Sequence, residues 1–210
     1  MELKGLKVNF LGDSITQGVG ATDQPNLGYV GVLRDDYGID ARNYGLTGTR
    51  IAQTREPTIN PAQDHDFCGR ALEMDNDADV VVVFGGTNDF GQGYISLGCF
   101  NDQTPFSFYG ALHTLYVSLI NKYPTKKIVV ITPLHRENEN RFGTSLSAYV
   151  KAVHEVAEWY SLPVLDLYKN LGANPNVPII KQTYMPDGLH PNNLGHKLIA
   201  EKIAAFLRAM

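Results

Sequence analysis

Five short apolar runs, rich in β-branched residues, recur along the chain. They are KVNFLG (7–12), IDARNYG (39–45), ADVVVVFGG (78–86), KIVVITP (127–133) and LPVLDL (162–167). Runs of this length, bounded by Gly, Pro and Asp, read as buried strands. Between them the period of the apolar positions changes. Leu112, Leu115, Tyr116, Leu119 and Ile120 recur at three and four before Pro124, and Leu146, Tyr149, Val150, Val153, Ala157 and Tyr160 do the same. The clearest helix is the last, with Asn192 as its cap and Leu194, Leu198, Ile199, Ile203, Phe206 and Leu207 as its apolar face. Strands alternating with helices predict the α/β class, a parallel sheet covered on both faces and joined by right-handed crossovers. No repeat, low-complexity tract or linker-like shift of composition interrupts residues 1–210, so the chain reads as one domain.

The long irregular stretches are 16–27, 49–66, 87–105, 134–141 and 168–191, and each follows the C-terminal end of a predicted strand. In open α/β sheets that rim is where ligands bind. The rim receives Ser14 after the first strand, Gly48 after the second, Asn88 after the third, and Asp187 with His190 late in the loop after the fifth. These are the parts that acyl transfer needs. A serine hydroxyl is a poor nucleophile until a neutral imidazole takes its proton, and the imidazole needs a partner on its other nitrogen. Charge developing on a tetrahedral oxygen needs preorganised donors, which a glycine amide and an uncharged side-chain amide supply.

The four blocks that carry these residues resemble those of the SGNH hydrolases, also called the GDSL esterase/lipase family. Ser14 stands in GDSIT, Gly48 in NYGLTGT, Asn88 in GTND, and Asp187 and His190 in DGLH, in that order across residues 12–190. The resemblance implies a flavodoxin-like three-layer α/β/α sandwich on a five-stranded parallel sheet. It also implies Ser14 as nucleophile, His190 as base and Asp187 as the orienter of His190. The oxyanion hole would then be the backbone amides of Ser14 and Gly48 with the side chain of Asn88. No cofactor and no metal is implied. Ile15 in place of the usual leucine, and Thr47 in place of the more usual serine, depart mildly from the pattern.

Composition narrows the partners. The formal net charge is −4 with no basic cluster, so nucleic acid is not an expected ligand. The longest apolar run, 78–84, is too short for a bilayer, and MELKGLKVNF has no apolar signal core, so no membrane partner and a cytoplasmic location are expected. Cys68 and Cys99, 31 positions apart, read as reduced structural thiols rather than a disulfide or a metal site.

Several polar residues invite plainer readings. Asp13 and Asp89 are expected to accept hydrogen bonds from loop amides, and DHD at 64–66 to be a solvated loop rather than a metal site. Arg50, His135 and Arg136 fall on the rim and are candidates for substrate contact, with Arg55 adding polar character. In the segment 90–110 rings alternate with glycines and amides, which predicts some rings buried and one or two lining a pocket. That mixture suits a short acyl or acetyl ester of a small polar molecule, such as an acetylated carbohydrate, better than a fatty chain. The alternatives are a lysophospholipase or thioesterase of the same family, and a flavodoxin-like binding module with phosphate on DSITQG. The binding module leaves Asn88 and DGLH unexplained, and the segment lacks the P-loop lysine.

Overall fold

A computed structural model describes residues 1–210. Strands β1 (Lys7–Gly12), β2 (Asp40–Gly45), β3 (Val80–Phe84), β4 (Lys127–Ile131) and β7 (Val164–Leu165) form a parallel sheet in the order β2-β1-β3-β4-β7. A small antiparallel hairpin, β5 (Asn140–Arg141) with β6 (Thr144–Ser145), stands apart from it. The helices are α1 (Ser14–Gln17), α2 (Gln24–Leu27), α3 (Tyr29–Tyr37), α4 (Phe67–Arg70), α5 (Thr87–Gln92), α6 (Phe108–Lys122), α7 (Leu146–Trp159), α8 (Leu167–Asn170), α9 (Pro178–Tyr184) and α10 (Asn193–Ala209).

The sheet is buried on both faces, which explains why β3 reads as a continuous apolar run. Its residues alternate between two cores. Val81 and Val83 join Leu112, Leu115 and Val153 of α6 and α7 on one face, while Val80, Val82 and Phe84 join Leu33, Ile199 and Ile203 of α3 and α10 on the other. The result is an α/β/α sandwich. Its strand order reverses direction at β1, and the crevice outside the C-terminal ends of β1 and β3 is the topological switch point.

Three local expectations are revised. The fifth apolar run, 162–167, shortens to Val164–Leu165, because Pro163 has no N–H for the ladder and Asp166 turns away to cap α8, accepting from Lys169 N–H at 3.0 Å. On α10 Leu194 is 56% exposed and not part of the apolar face. It lies five residues before Ile199, about 140° around the helix, so Gly195 and His196 point inward instead. Both cysteines are free, Cys68 buried in the core but Cys99 on the surface. No helix is long and apolar enough to cross a membrane.

His196 belongs to the core, at 0% exposure. Its Nδ1 accepts from Tyr29 N–H at 3.3 Å and its Nε2 donates to Val19 O at 3.1 Å, so the packed ring is the neutral tautomer. Burial pushes its pKa down to about 4, with the hydrogen bond to Val19 opposing and the charge of His190 adding to the fall. The unfolded ring, near ~6.5, takes up a proton that the folded ring refuses, so this residue's contribution to stability is lost as pH falls from ~6.5 towards ~4, by at most about 3 kcal/mol. Asp13 and Asp89, whose carboxyls burial pushes up to about 7 and about 6, act in the opposite direction. The expected result is therefore differential. Urea unfolding at a series of pH values should give His196→Gln a shallower acid limb than the wild type, and parallel limbs would mean that His196 does not titrate on unfolding.

Candidate active site

β1 ends at Gly12 because nothing larger fits. A Cβ there would lie 1.8 Å from Thr16 Oγ1. Asp13 then caps the single turn of α1, its carboxylate accepting from Ile15 N–H at 3.0 Å. Ser14 is thereby held at the first position of the turn, 4% exposed, at the C-terminal edge of the sheet.

The opposing loop is folded by one carboxylate. Asp187 Oδ1 accepts from His190 N–H at 2.7 Å and from Leu189 N–H at 2.9 Å. Its Oδ2 lies 2.7 Å from His190 Nδ1, and His190 Nε2 lies 3.0 Å from Ser14 Oγ. An ionised carboxylate only accepts, so the proton sits on Nδ1 and Nε2 is left as the acceptor facing the serine hydroxyl. Partial burial pushes the Asp187 pKa up, but the hydrogen bonds from His190 and Leu189 outweigh it and hold the carboxyl below its usual range. Asn192 caps α10 just beyond, accepting from Leu194 and Gly195 N–H at 3.1 Å. The histidine loop is thus anchored to a long helix.

The loop after β2 is fastened to α5 side chain by side chain. Asn88 Nδ2 donates to Thr49 O at 2.9 Å, and Asp89 accepts from Ile51 N–H at 3.0 Å and Ala52 N–H at 2.9 Å. Gln92 Nε2 donates to Gly48 O at 2.8 Å. Gly48 itself has φ +78°, a left-handed conformation that favours glycine, and its N–H donates to no protein acceptor. The second hydrogen of the Asn88 amide has no acceptor in the protein either. Arg70 ties the edge together, donating to Tyr44 O at 2.6 Å, Gly12 O at 2.9 Å and Thr49 Oγ1 at 2.8 Å.

Of the expected substrate contacts, Arg50 is corrected. It is 1% exposed, and its guanidinium is engaged by Asp64 at 2.6 Å and by Gln92, so it faces the protein rather than a ligand. His135 and Arg136 are partly buried and held by protein partners. His135 Nδ1 meets Glu139 at 2.7 Å while its ring stacks 3.8 Å from Tyr168, and Arg136 donates to Thr87 O and Oγ1 at 3.1 Å. The segment 64–66 is not merely solvated. Asp64 pairs with Arg50 and Asp66 caps α4, accepting from Gly69 N–H at 2.9 Å. Along 90–110, Phe90 and Phe108 are buried while Tyr94 is 48% exposed and borders a surface cavity of about 510 Å³ with Gln53, Arg55 and Phe106. Gln92 and Arg70 carry no motif in the sequence, and Asp64 stands in DHD, which reads only as a solvated loop. The one available signal was the spacing of four between Asn88 and Gln92, which puts both on one helix face.

The GDSL-like Lipase/Acylhydrolase family model matches residues 10–198. Among solved structures, a protein from Lactobacillus plantarum is 31% identical, with a TM-score of 0.85 over 99% of this chain and 98% of that one. A lipase/acylhydrolase from Enterococcus faecalis is 24% identical, with a TM-score of 0.65 over 97% of this chain and 96% of that one. A structure described as a possible lipase from Chitinophaga pinensis is 23% identical, with a TM-score of 0.70 over 97% of this chain and 98% of that one. These last two speak to the fold alone. No curated protein matches the sequence.

Proposed function

Because the chain belongs to the GDSL-like lipase/acylhydrolase family, whose members hydrolyse esters, we propose that it is a serine esterase acting on short acyl or acetyl esters of small polar molecules. The observation that carries the reading is the continuous chain from Ser14 Oγ through His190 to Asp187, at 3.0 and 2.7 Å. In the first half-reaction Ser14 Oγ attacks the ester carbonyl while His190 Nε2 takes its proton. The carbonyl oxygen becomes an oxyanion facing the N–H groups of Ser14 and Gly48 and the Asn88 amide. Collapse expels the alcohol, which leaves with the proton from His190. Water then repeats the sequence on the acyl-serine, returning the acid and free Ser14.

The substrate preference draws support from the character of the loops after β2 and β3, where Gln53, Thr54 and Arg55 stand beside the rings of Tyr94 and Phe106 around a surface cavity of about 510 Å³ that does not itself include Ser14 or His190. Polar groups interleaved with rings suit a sugar better than a fatty chain. The net charge of −4 argues against nucleic acid, and two free thiols suit a reducing compartment such as the cytoplasm. A second reading, a longer-chain acyl or lysophospholipid hydrolase, draws on the apolar lining of a separate cavity of about 420 Å³, formed by Phe90, Ile95, Leu97, Phe142 and Tyr149 and not including Ser14 or His190. Chromogenic esters from acetyl to long-chain acyl decide between them. The expected result is kcat/KM greatest between acetyl and butyryl, with no activation by lipid aggregates. A maximum at long chains, or on lysophospholipid vesicles, would replace the first reading with the second.

A further inference from the structure

Gln92 follows Asn88 by four residues on α5, so both side chains leave one face of that helix. They bind successive carbonyls of the loop after β2, Gln92 holding Gly48 O at 2.8 Å and Asn88 holding Thr49 O at 2.9 Å. Behind Gln92 stands Arg50, 1% exposed, which donates through Nη1 to Gln92 Oε1 and through Nη2 to Asp64 Oδ1 at 2.6 Å. Asp64 is fixed in turn by the Thr58 N–H and hydroxyl, both at 2.8 Å.

The order of donors and acceptors sets an orientation. A glutamine amide has two ends of nearly equal shape, one accepting and one donating. Arginine has no acceptor, so a buried guanidinium beside Gln92 takes the oxygen and turns the NH2 group towards Gly48 O. The Arg50 Nε is left buried without a partner, so the guanidinium is placed for its two terminal nitrogens. On the other side of Gly48, Gln17 Oε1 accepts from Thr47 N–H at 2.8 Å and from the Thr47 hydroxyl at 2.7 Å. Between these anchors the Gly48 N–H points at no protein acceptor.

We propose that Asp64, Arg50 and Gln92 form a positioning relay that aims the Gly48 N–H at the oxyanion and serves turnover rather than substrate binding. The residues act through Gly48 and touch no reacting atom. A donor held in place before the reaction spends no energy reorganising as the charge forms, and its benefit is confined to the transition state.

The relay rests on the reading of Ser14 as nucleophile, and the test separates the two. Gln92→Leu removes the amide, whereas Gln92→Glu keeps the shape and the partner of Arg50 but sets an acceptor against Gly48 O. Both should lower kcat by at least about tenfold, the glutamate more, with KM changed by less than about threefold. An alkyl boronic acid, which forms an anionic tetrahedral adduct on serine, should lose affinity by the same factor as kcat/KM, while the melting temperature of Gln92→Glu stays near that of the wild type. Wild-type kcat in both variants, with Ser14→Ala inactive, would overturn the relay and leave the nucleophile standing. A raised KM with kcat retained would make Gln92 a substrate contact and overturn it too. An active Ser14→Ala protein would overturn both readings.

Discussion

Ser14→Ala is expected to lower kcat by a factor on the order of 10⁴ or more, with folding unchanged. The substitution removes one oxygen from a residue 4% exposed, and neither the Asp13 cap nor the Gly12 turn depends on that oxygen. What disappears is the covalent route. The His190–Asp187 pair at 2.7 Å remains, as do the donors of Gly48 and Asn88, so a small residual rate from bound water attacking a polarised carbonyl is expected. The measurement is kcat on a short acyl ester together with covalent labelling by a fluorophosphonate. Loss of both places the nucleophile at Ser14. Turnover within tenfold of the wild type would move it elsewhere, and the 3.0 Å contact with His190 would then be a structural hydrogen bond.

How far the sequence reached follows from what each segment is made of. β3 was legible because both its faces are buried, which leaves VVVVF as an unbroken apolar run. The frame of alternating strands and helices followed, and so did the collection of Ser14, Gly48, Asn88, Asp187 and His190 at one sheet edge, because topology alone decides which strand ends share a rim. β7 is shorter than its apolar run, because the run does not reveal that Pro163 and Asp166 end the strand after two residues. Arg50 departs from its expected place for a related reason. Its place in the chain put it on the rim, but only the fold shows Asp64, fourteen residues later, returning to bury it. Arg70 carries no signal at all, since a side chain that grips backbone carbonyls leaves no mark in composition, and Gln92 carries only its spacing of four from Asn88.

Asn88→Ala is the second large effect, expected at roughly 10²–10³ in kcat with KM little altered. Asn88 has two amide hydrogens, and Thr49 O takes one of them at 2.9 Å. That bond orients the amide and leaves the other hydrogen for the oxyanion, whose charge exists only after attack. The loss therefore belongs to the transition state and falls on kcat. Part of the effect in alanine comes from the freed Thr49 carbonyl, since the loop loses one of its five hydrogen bonds to α5 while those of Asp89 and Gln92 persist. Asn88→Asp separates the two contributions. The carboxylate keeps the size of the amide but repels both Thr49 O and the oxyanion, so it should be at least as damaging as alanine. Steady-state kinetics on one acetyl ester with all three proteins reads the comparison. A rise in KM at constant kcat would show Asn88 holding the ground-state ester instead, and an Asn88→Asp protein with wild-type kcat would mean that no negative charge develops beside this side chain.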